Sequence, residues 1–600
     1  MFIVILFFIA FSLLLLQLKI FTIESDFSHF MINFLLLISV YSIIATEFKT
    51  INILLVALFI FFVVFKKKWE FKIVSKGLTE NLALILGVAI FFVLFYNVEG
   101  KYFIPHEDYL FYSRLSLDNL LYKKETLGAI YNTYNYRSTL DVYHFFELWT
   151  AAFGKQINHQ NITVNLFFFS YPIATVMSLV GIKEMINFWF PNTKKSSIIA
   201  YALCIFLCGF FFISQPWDSV IYLFKSTGVS ISDTGGLWMS PKILFVIPII
   251  ISLFIFLNKC NKENLLMLVF SCFLYFPLLP FLLLSLFLWI IIFKTHIYKA
   301  YKIPFIIFSF SIFVLGMYFC ISLFLDSSNT FKLNILNFLN WRYLSAILPS
   351  ILLKGIFIPF IGFSPIFIIT YLFCKKFKFI FINYQFYFIL YLLSFSVWVV
   401  FAKNLDAKQP FFLLIGSILF LISLFGILFL FNYQRKVAGV LIFFTLISPG
   451  LLKAFHFQNP IKIVDAKTVS FLKMIGKKRI LYLPRLDEIN NIYSRNERVY
   501  TGINSFILSN DSLELLTISA SYYLDTTHLN PSVINTYSIF KNHSPFFNLC
   551  GTYIDTKNDC FRQYIKNLNI DYICTNNINP LDSSWKNIFA SDNYNFYKKK

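Results

Sequence analysis

Charge is scarce in this 600-residue chain: Asp, Glu, Lys and Arg make up only 14% of it, against 58% hydrophobic residues, and the mean hydropathy is +0.70. That shortage excludes an ordinary soluble globular protein. Chain breakers are also few, with 20 Gly and 19 Pro, so apolar runs extend over long stretches without interruption. The eight His residues are scattered and give no metal-ligand spacing, and HxxE at 144–147 is not HExxH. The nine Cys show no zinc-type spacing. Cys204, Cys208 and Cys272 lie inside apolar segments, where cysteine behaves as a small hydrophobe. Cys550, Cys560 and Cys574 fall in a polar tail, where Cys550 and Cys560 suit either a disulfide or free thiols, depending on the compartment. No GxxxxGK[ST] or GxGxxG string is present, so nucleotide-driven transport within the chain has no support.

What remains is the composition of an α-helical polytopic membrane protein. The formal charge of +21 would suggest nucleic acid in a soluble protein. Here the lysines cluster at the ends of apolar runs, which is the pattern of the positive-inside rule. The 79 Phe and 34 Tyr are read first as lipid-facing or packing surface.

A membrane span takes about 20 mainly apolar residues, fewer with snorkelling or aromatic anchors. Runs of this kind occur at 1–22, 30–46, 51–65, 82–98, 162–181, 197–214, 241–258, 265–293, 303–325, 346–373, 384–402, 410–431 and 437–454. The first reads as a retained span, because it lacks a basic front and a small-residue cleavage site. The lysine-rich stretch 66–81 is assigned to the cytoplasm. Alternation then puts 98–160 outside, the segment containing Lys183 and Glu184 inside, 215–240 outside and 258–264 inside. The run 265–293 contains Pro277 and Pro280 and is either one tilted helix or a hairpin of two short ones. Only the hairpin returns KTHIYKAYK to the cytoplasm. The expected organisation is N-terminal transmembrane helices over 1–97, a large extracytoplasmic loop over 98–160, a helical core over 161–455 and an extracytoplasmic domain over 456–600. The expected total is about 13–14 transmembrane helices in a multi-pass inner (plasma) membrane protein.

Two adjacent carboxylates, Glu107 and Asp108, stand just beyond a span in the string HEDYLFYSRLSLDNL, with Tyr109, Tyr112 and Arg114 close by. Acids at a membrane surface beside aromatic and basic residues suit proton chemistry on a membrane-delivered substrate. Further along the same loop, DVYHFFELWTAAFG has helical spacing. Val142, Phe145, Phe146 and Trp149 would share one face of a helix resting on the membrane, with His144 and Glu147 on another face, either as a solvated edge or as substrate contacts.

From about Ile461 the composition turns polar and alternates between helix and strand patterns. AKTVSFLKMIG and CFRQYIKNLN read as helices, RILYLPR and IDYICTN as strands, and WKNIFASDNYNFYKKK as a final strand or hairpin. A small α/β domain follows from this, large enough for its own core.

HEDYLFYSRL, YHFFELWTAAFG and CFRQYIKNLNIDYICTN, set among many spans, resemble the GT-C superfamily of polyprenyl-phosphate-dependent glycosyltransferases. The resemblance implies transfer of a sugar from a lipid-phosphate donor, outside the cytoplasm, to a glycan, lipid or protein acceptor. It gives Asp108, with Glu107 as runner-up, the role of base towards an acceptor hydroxyl. The departing phosphate needs neutralising by a cation. Arg114, Lys225 and Lys242 are the basic candidates, with a divalent metal as the alternative, and Tyr112, His144 and Glu147 are candidate substrate contacts. No cofactor is assigned beyond the lipid-linked donor. Four apparent spans precede the acidic loop where the superfamily commonly has one. The other readings are a transporter or flippase for lipid-linked glycans, an envelope glycan polymerase or ligase, and a noncatalytic scaffold. A transporter would carry ionisable groups in the middle of its helices.

Overall fold

In the computed structural model the described residues are 1–19, 25–47, 50, 52–66, 72–73, 78–98, 101–102, 108–121, 123, 145–189, 242–293, 368, 371–372, 383–400, 408–433, 436–437, 466–475, 478–483, 513–517, 559, 562–563, 566, 570–575, 584–591 and 594–600. They are mostly helical, with a small sheet near the C-terminus.

The N-terminal helices are α1 (Phe2–Gln17), α2 (Asp26–Ala45), α3 (Asn52–Lys66) and α4 (Leu78–Tyr96). The joint between α2 and α3 explains why the 30–65 region forms two helices rather than one. Ser39 Oγ donates to Asn52 Oδ1 at 3.2 Å, the Asn52 amide donates to Ser42 Oγ, and the Asn52 N–H donates to Thr50 Oγ1 at 3.3 Å. All four residues are buried. In an apolar bundle such groups are tolerated because they satisfy one another. At the opposite end of α2, Ser25 caps the helix by accepting from the Ser28 N–H at 3.0 Å, and Asp26 suits the first turn.

Next come α5 (Asp108–Leu121) and α6 (Phe145–Asn158). The short helix α7 (Ile162–Asn165) runs through a π turn (Leu166–Ser170) into α8 (Tyr171–Trp189). Then α9 (Lys242–Asn258) and α10 (Lys262–Cys272) lead through a 3-10 segment (Phe273–Leu278) into α11 (Leu279–Phe293). The last apolar helices are α12 (Tyr384–Val400) and α13 (Lys408–Tyr433). Among the described residues, the stretches Asp26–Ala45, Ile162–Phe188 and Glu263–Phe293 are long and apolar enough to cross a membrane, and several shorter apolar helices pack with them. The expected runs at 197–214, 303–325, 346–373 and 437–454 lie wholly or mostly outside the described residues.

Length alone would make Glu263–Phe293 one crossing, but the backbone reverses within it. Tyr275 leaves helical geometry (φ −144°, ψ 82°), and Pro277 supplies no N–H to the segment. Trp289, near the end of α11, packs against Phe386 with ring centroids 5.9 Å apart. Asn383 beside it donates to the Leu257 carbonyl at 3.1 Å, next to where α10 begins. Both ends of the proline-containing run therefore return to one end of the bundle, as a splayed hairpin. Its limbs of 11 and 15 residues are roughly 16 and 22 Å long, short of the ~30 Å hydrocarbon thickness. The hairpin tip, 273–278, rests against α6 and α9.

Three segments to which the lysine pattern gives one side also meet at one end. Leu18–Lys19 pairs with Lys72–Ile73 as a short antiparallel ladder. Asn33 Nδ2 donates to the Leu15 carbonyl at 3.0 Å, and Ser25 Oγ donates to Glu184 Oε2 at 2.7 Å. At the other end, Lys123 and Glu47 form an exposed ion pair at 2.6 Å.

The C-terminal unit consists of α14 (Ala466–Ile475) and strands β5 (Lys478–Leu483), β6 (Leu513–Thr517), β7 (Tyr572–Thr575), β8 (Trp585–Ala590) and β9 (Asn595–Lys599). β1 to β4 are two-residue ladders, Leu18–Lys19 with Lys72–Ile73 and Asn97–Val98 with Lys101–Tyr102. The five-stranded order is β6-β5-β7-β9-β8, with β6, β5 and β7 parallel and β9 and β8 antiparallel. Buried β7 reads YICT without alternation, as a strand covered on both faces does. Phe471 of α14 stacks on Phe589 at 4.3 Å and meets Phe596 at 4.9 Å, closing one face. The expected helix over 560–569 and the Cys550–Cys560 pair lie largely or wholly outside the described residues.

Candidate functional site

The helix expected from YHFFELWTAAFG is present as α6, but its surroundings differ from those of a helix on a surface. Phe146 packs against Phe34 (5.9 Å between centroids), Trp149 against Tyr41 (6.2 Å), and Phe153 against Tyr41 (5.1 Å) and Phe11 (5.4 Å). This sequence of contacts runs α6 alongside α2 in the same direction, starting part-way along α2. Leu148, Ala151 and Ala152, on other faces, are buried as well. From Phe146 to Gly154 every residue is buried, because helices pack on this stretch from several sides.

The consequence falls on Glu147, which is 2% exposed and so is not a solvated edge. The Tyr171 hydroxyl donates to Glu147 Oε1 at 2.6 Å, and Ser170 Oγ donates to the Glu147 carbonyl at 3.1 Å. Removing a carboxylate from water is costly unless donors replace the water, and a short O–H···O bond is such a replacement. Both donors come from the π turn and the first residue of α8, where the helix is locally widened.

The turn joining α6 to α7 holds these two helices in register. Asn158 Nδ2 donates to Asn165 Oδ1 at 2.7 Å, and Asn165 Nδ2 donates back to Asn158 Oδ1 at 3.1 Å. His159 takes the left-handed conformation (φ 55°) that closes the turn. Asn161 uses its side chain to cap α7, accepting from the Thr163 N–H at 2.8 Å. Gly154 allows the close approach: a Cβ there would lie 2.5 Å from Asn165 Oδ1 and 2.7 Å from Phe169 Cδ1.

Asp108 is the first residue of α5, a helix whose buried residues Tyr112, Leu115, Ser116 and Asn119 pack it against α6 and α7. Tyr112 is 2% exposed, and Ser116 Oγ donates to its carbonyl at 2.9 Å. Arg114 lies in the same helix, and Lys242 is the first residue of α9. Ser178 Oγ of α8 reaches the Leu244 carbonyl at 3.5 Å, so α9 starts beside the middle of α8. Glu107, His144 and Lys225 lie outside the described residues.

The structure therefore places Tyr112 and Glu147 on adjoining helices of one packed unit, with the hairpin tip 273–278 on another side of α6. Sequence reasoning did not find Tyr171 as the partner of Glu147, nor Glu184 as the group that meets Ser25. Neither pair is close in sequence; the only local signal was a charged residue embedded in an apolar string, FFELW and GIKEM respectively. Among the described residues no group of three His, Cys, Asp or Glu could hold a metal ion. Neither a family model, a curated protein nor a solved structure matches this chain.

Proposed function

We propose that this chain is an integral-membrane glycosyltransferase that transfers a sugar from a polyprenyl-phosphate donor to an envelope glycan, lipid or protein acceptor on the extracytoplasmic face. The observation that supports this reading is that the acidic string after the fourth N-terminal helix opens a helix, α5, packed on the carboxylate-bearing helix α6. Asp108 is the proposed base: an acceptor hydroxyl loses its proton to the carboxylate as its oxygen attacks the anomeric carbon and the lipid phosphate departs. Arg114 and Lys242 are the proposed partners of the departing phosphate. Glu147 and Tyr112, each 2% exposed, are proposed to brace the helices α5 and α6 behind Asp108 rather than to touch a substrate.

The test compares cell-surface glycans and lipid-linked sugars in cells carrying wild type, a deletion and Asp108→Asn. Loss of the glycan with accumulation of extracytoplasmic lipid-linked sugar in both variants is the expected result. Full complementation by Asp108→Asn removes the catalytic assignment.

One observation favours a second reading, transport of a lipid-linked glycan. Glu147 is a buried ionisable group beside a broken helix, and such groups within helical bundles commonly mark a pathway. Under transport, the lipid-linked sugar accumulates on the cytoplasmic leaflet instead, and Glu147→Gln has a stronger effect than Asp108→Asn.

A further inference from the structure

The C-terminal unit carries an amphipathic face that the transferase chemistry does not use. In the β8–β9 ladder, Lys586 stands directly opposite Lys598. Like charges facing each other across an antiparallel pair destabilise the ladder unless something of opposite sign lies over them. No acid is available within the pair, since β8 reads WKNIFA and β9 reads NFYKK. The neighbouring strand presents Tyr572 to Lys598, and the nearby Asp571 is paired with Lys478 at 3.6 Å.

Two residues before Lys598 in β9, on the same side of the sheet, Phe596 faces Phe589. Phe589, Phe471 and Met474 line a hollow of about 490 Å³, with Lys467 and Ser470 completing its wall. Met474 is 75% exposed, and Ile588, the extra residue at the register shift just before Phe589 in edge strand β8, is 38% exposed. Large apolar side chains this open, next to three exposed lysines, form a surface with an apolar centre and a basic rim.

We propose that this face docks on the anionic surface of the bilayer, with Lys467, Lys586 and Lys598 on lipid phosphates and Met474 and Ile588 entering the headgroup layer. Charge complementarity decides the partner: phosphate headgroups relieve the opposed lysines, and an interfacial depth of a few ångströms suits single apolar side chains flanked by lysines. Covalent continuity keeps the surface close to hand, because only 434–465 separates α13 from α14. A docked tail would hold the C-terminal unit against the membrane face where a lipid-linked substrate is presented. The inference rests on membrane insertion of the apolar helices and is independent of the transferase reading.

The experiment uses the full chain in nanodiscs, with an environment-sensitive fluorescent amino acid at position 474. In discs containing phosphatidylglycerol the emission is expected to shift to the blue relative to purely zwitterionic discs, and brominated lipid is expected to quench it. High salt and the double variant Lys586→Glu, Lys598→Glu are expected to abolish both effects, while Lys586→Arg, Lys598→Arg retains them. Equal emission in the two disc types, or a shift that survives charge reversal, overturns the proposal. So does a shift that appears only after a soluble protein fraction or millimolar inorganic phosphate is added. The probe reports docking whether or not Asp108→Asn abolishes glycan transfer, so the two proposals fail separately.

Discussion

The Tyr171 hydroxyl donates to the buried carboxylate of Glu147 at 2.6 Å, joining α6 to the start of α8. Tyr171→Phe takes away that donor and leaves the carboxylate buried, a change expected to cost about 1–3 kcal/mol of stability. Glu147→Gln keeps an acceptor for the tyrosine and is expected to lose less. Thermal denaturation of the two purified variants in one detergent checks the order. If Glu147 only braces these helices, activity and stability of its Gln variant fall together; activity lost well beyond the loss of stability assigns it a part in the reaction.

Gly154 sits where α6 crosses the turn into α8, and any side chain there collides with Asn165 and Phe169. Asn165 is held by its reciprocal bonds to Asn158 and cannot swing aside without breaking them. Gly154→Ala is therefore expected to destabilise by about 1–3 kcal/mol, as overpacking does. Gly416, where an added Cβ would meet no neighbouring atom within 4 Å, provides the control: Gly416→Ala should leave the melting temperature unchanged or raise it.

Glu184 reaches across from α8 to the first turn of α2, accepting from Ser25 Oγ at 2.7 Å and from the Phe27 N–H at 3.3 Å. Ser25 at the same time caps α2. Ser25→Ala should cost about 1 kcal/mol from the cap alone. A double-mutant cycle with Glu184→Gln should add a coupling of about 0.5–3 kcal/mol, read from the non-additivity of melting temperatures. Additive losses would mean that the contact contributes nothing of its own.

The exposed pair of Lys123 and Glu47 behaves differently. Its hydrogen bond and the charge of Glu47 raise the Lys123 pKa above the ordinary lysine value. A raised lysine contributes stability below the unfolded-state pKa and loses it as pH rises through the folded one, so the effect disappears only at strongly alkaline pH. Both side chains are more than half exposed, and solvent and salt screen the pair. Lys123→Gln should therefore lower the melting temperature only slightly at neutral pH, and by less at high salt than at low.

How far the chain could be read from its sequence depended on whether the signal was local. Strand β7 and helix α14 were legible because an unbroken YIC run and an AKTVSFLKMI pattern each carry their own period. The last segment read as a strand or a hairpin, and pairing between β8 and β9 makes it the hairpin. Strand β6 was not, since LELLT is too short to stand out and is fixed by parallel pairing with distant β5. The environment of Glu147 was hidden for a related reason. Period analysis gives the faces of a helix, and it cannot tell a helix lying on a surface from one covered by neighbours that come from α1, α2 and α8. The lysine pattern left one tilted helix and a hairpin both open for 265–293, and the break at Tyr275 and Pro277 is what the structure adds.

That reversal leads to the sharpest topological expectation. A straight helix over Glu263–Phe293 would put Lys259 and Lys294 on opposite faces of a membrane, whereas a hairpin puts them on one. The contacts of Trp289 with Phe386 and of Asn383 with Leu257 bring the two ends together. Short biotin-acceptor peptides inserted after Lys259 and after Lys294 should therefore be labelled by a cytoplasmic ligase to the same extent. An insertion after position 75 is the reference for the cytoplasmic side, and insertions after positions 130 and 470 should both escape labelling. Opposite outcomes at 259 and 294 would make the proline segment a single crossing. The C-terminal unit would then lie on the other side of the membrane from the acidic loop, and the transferase reading would lose its shared compartment.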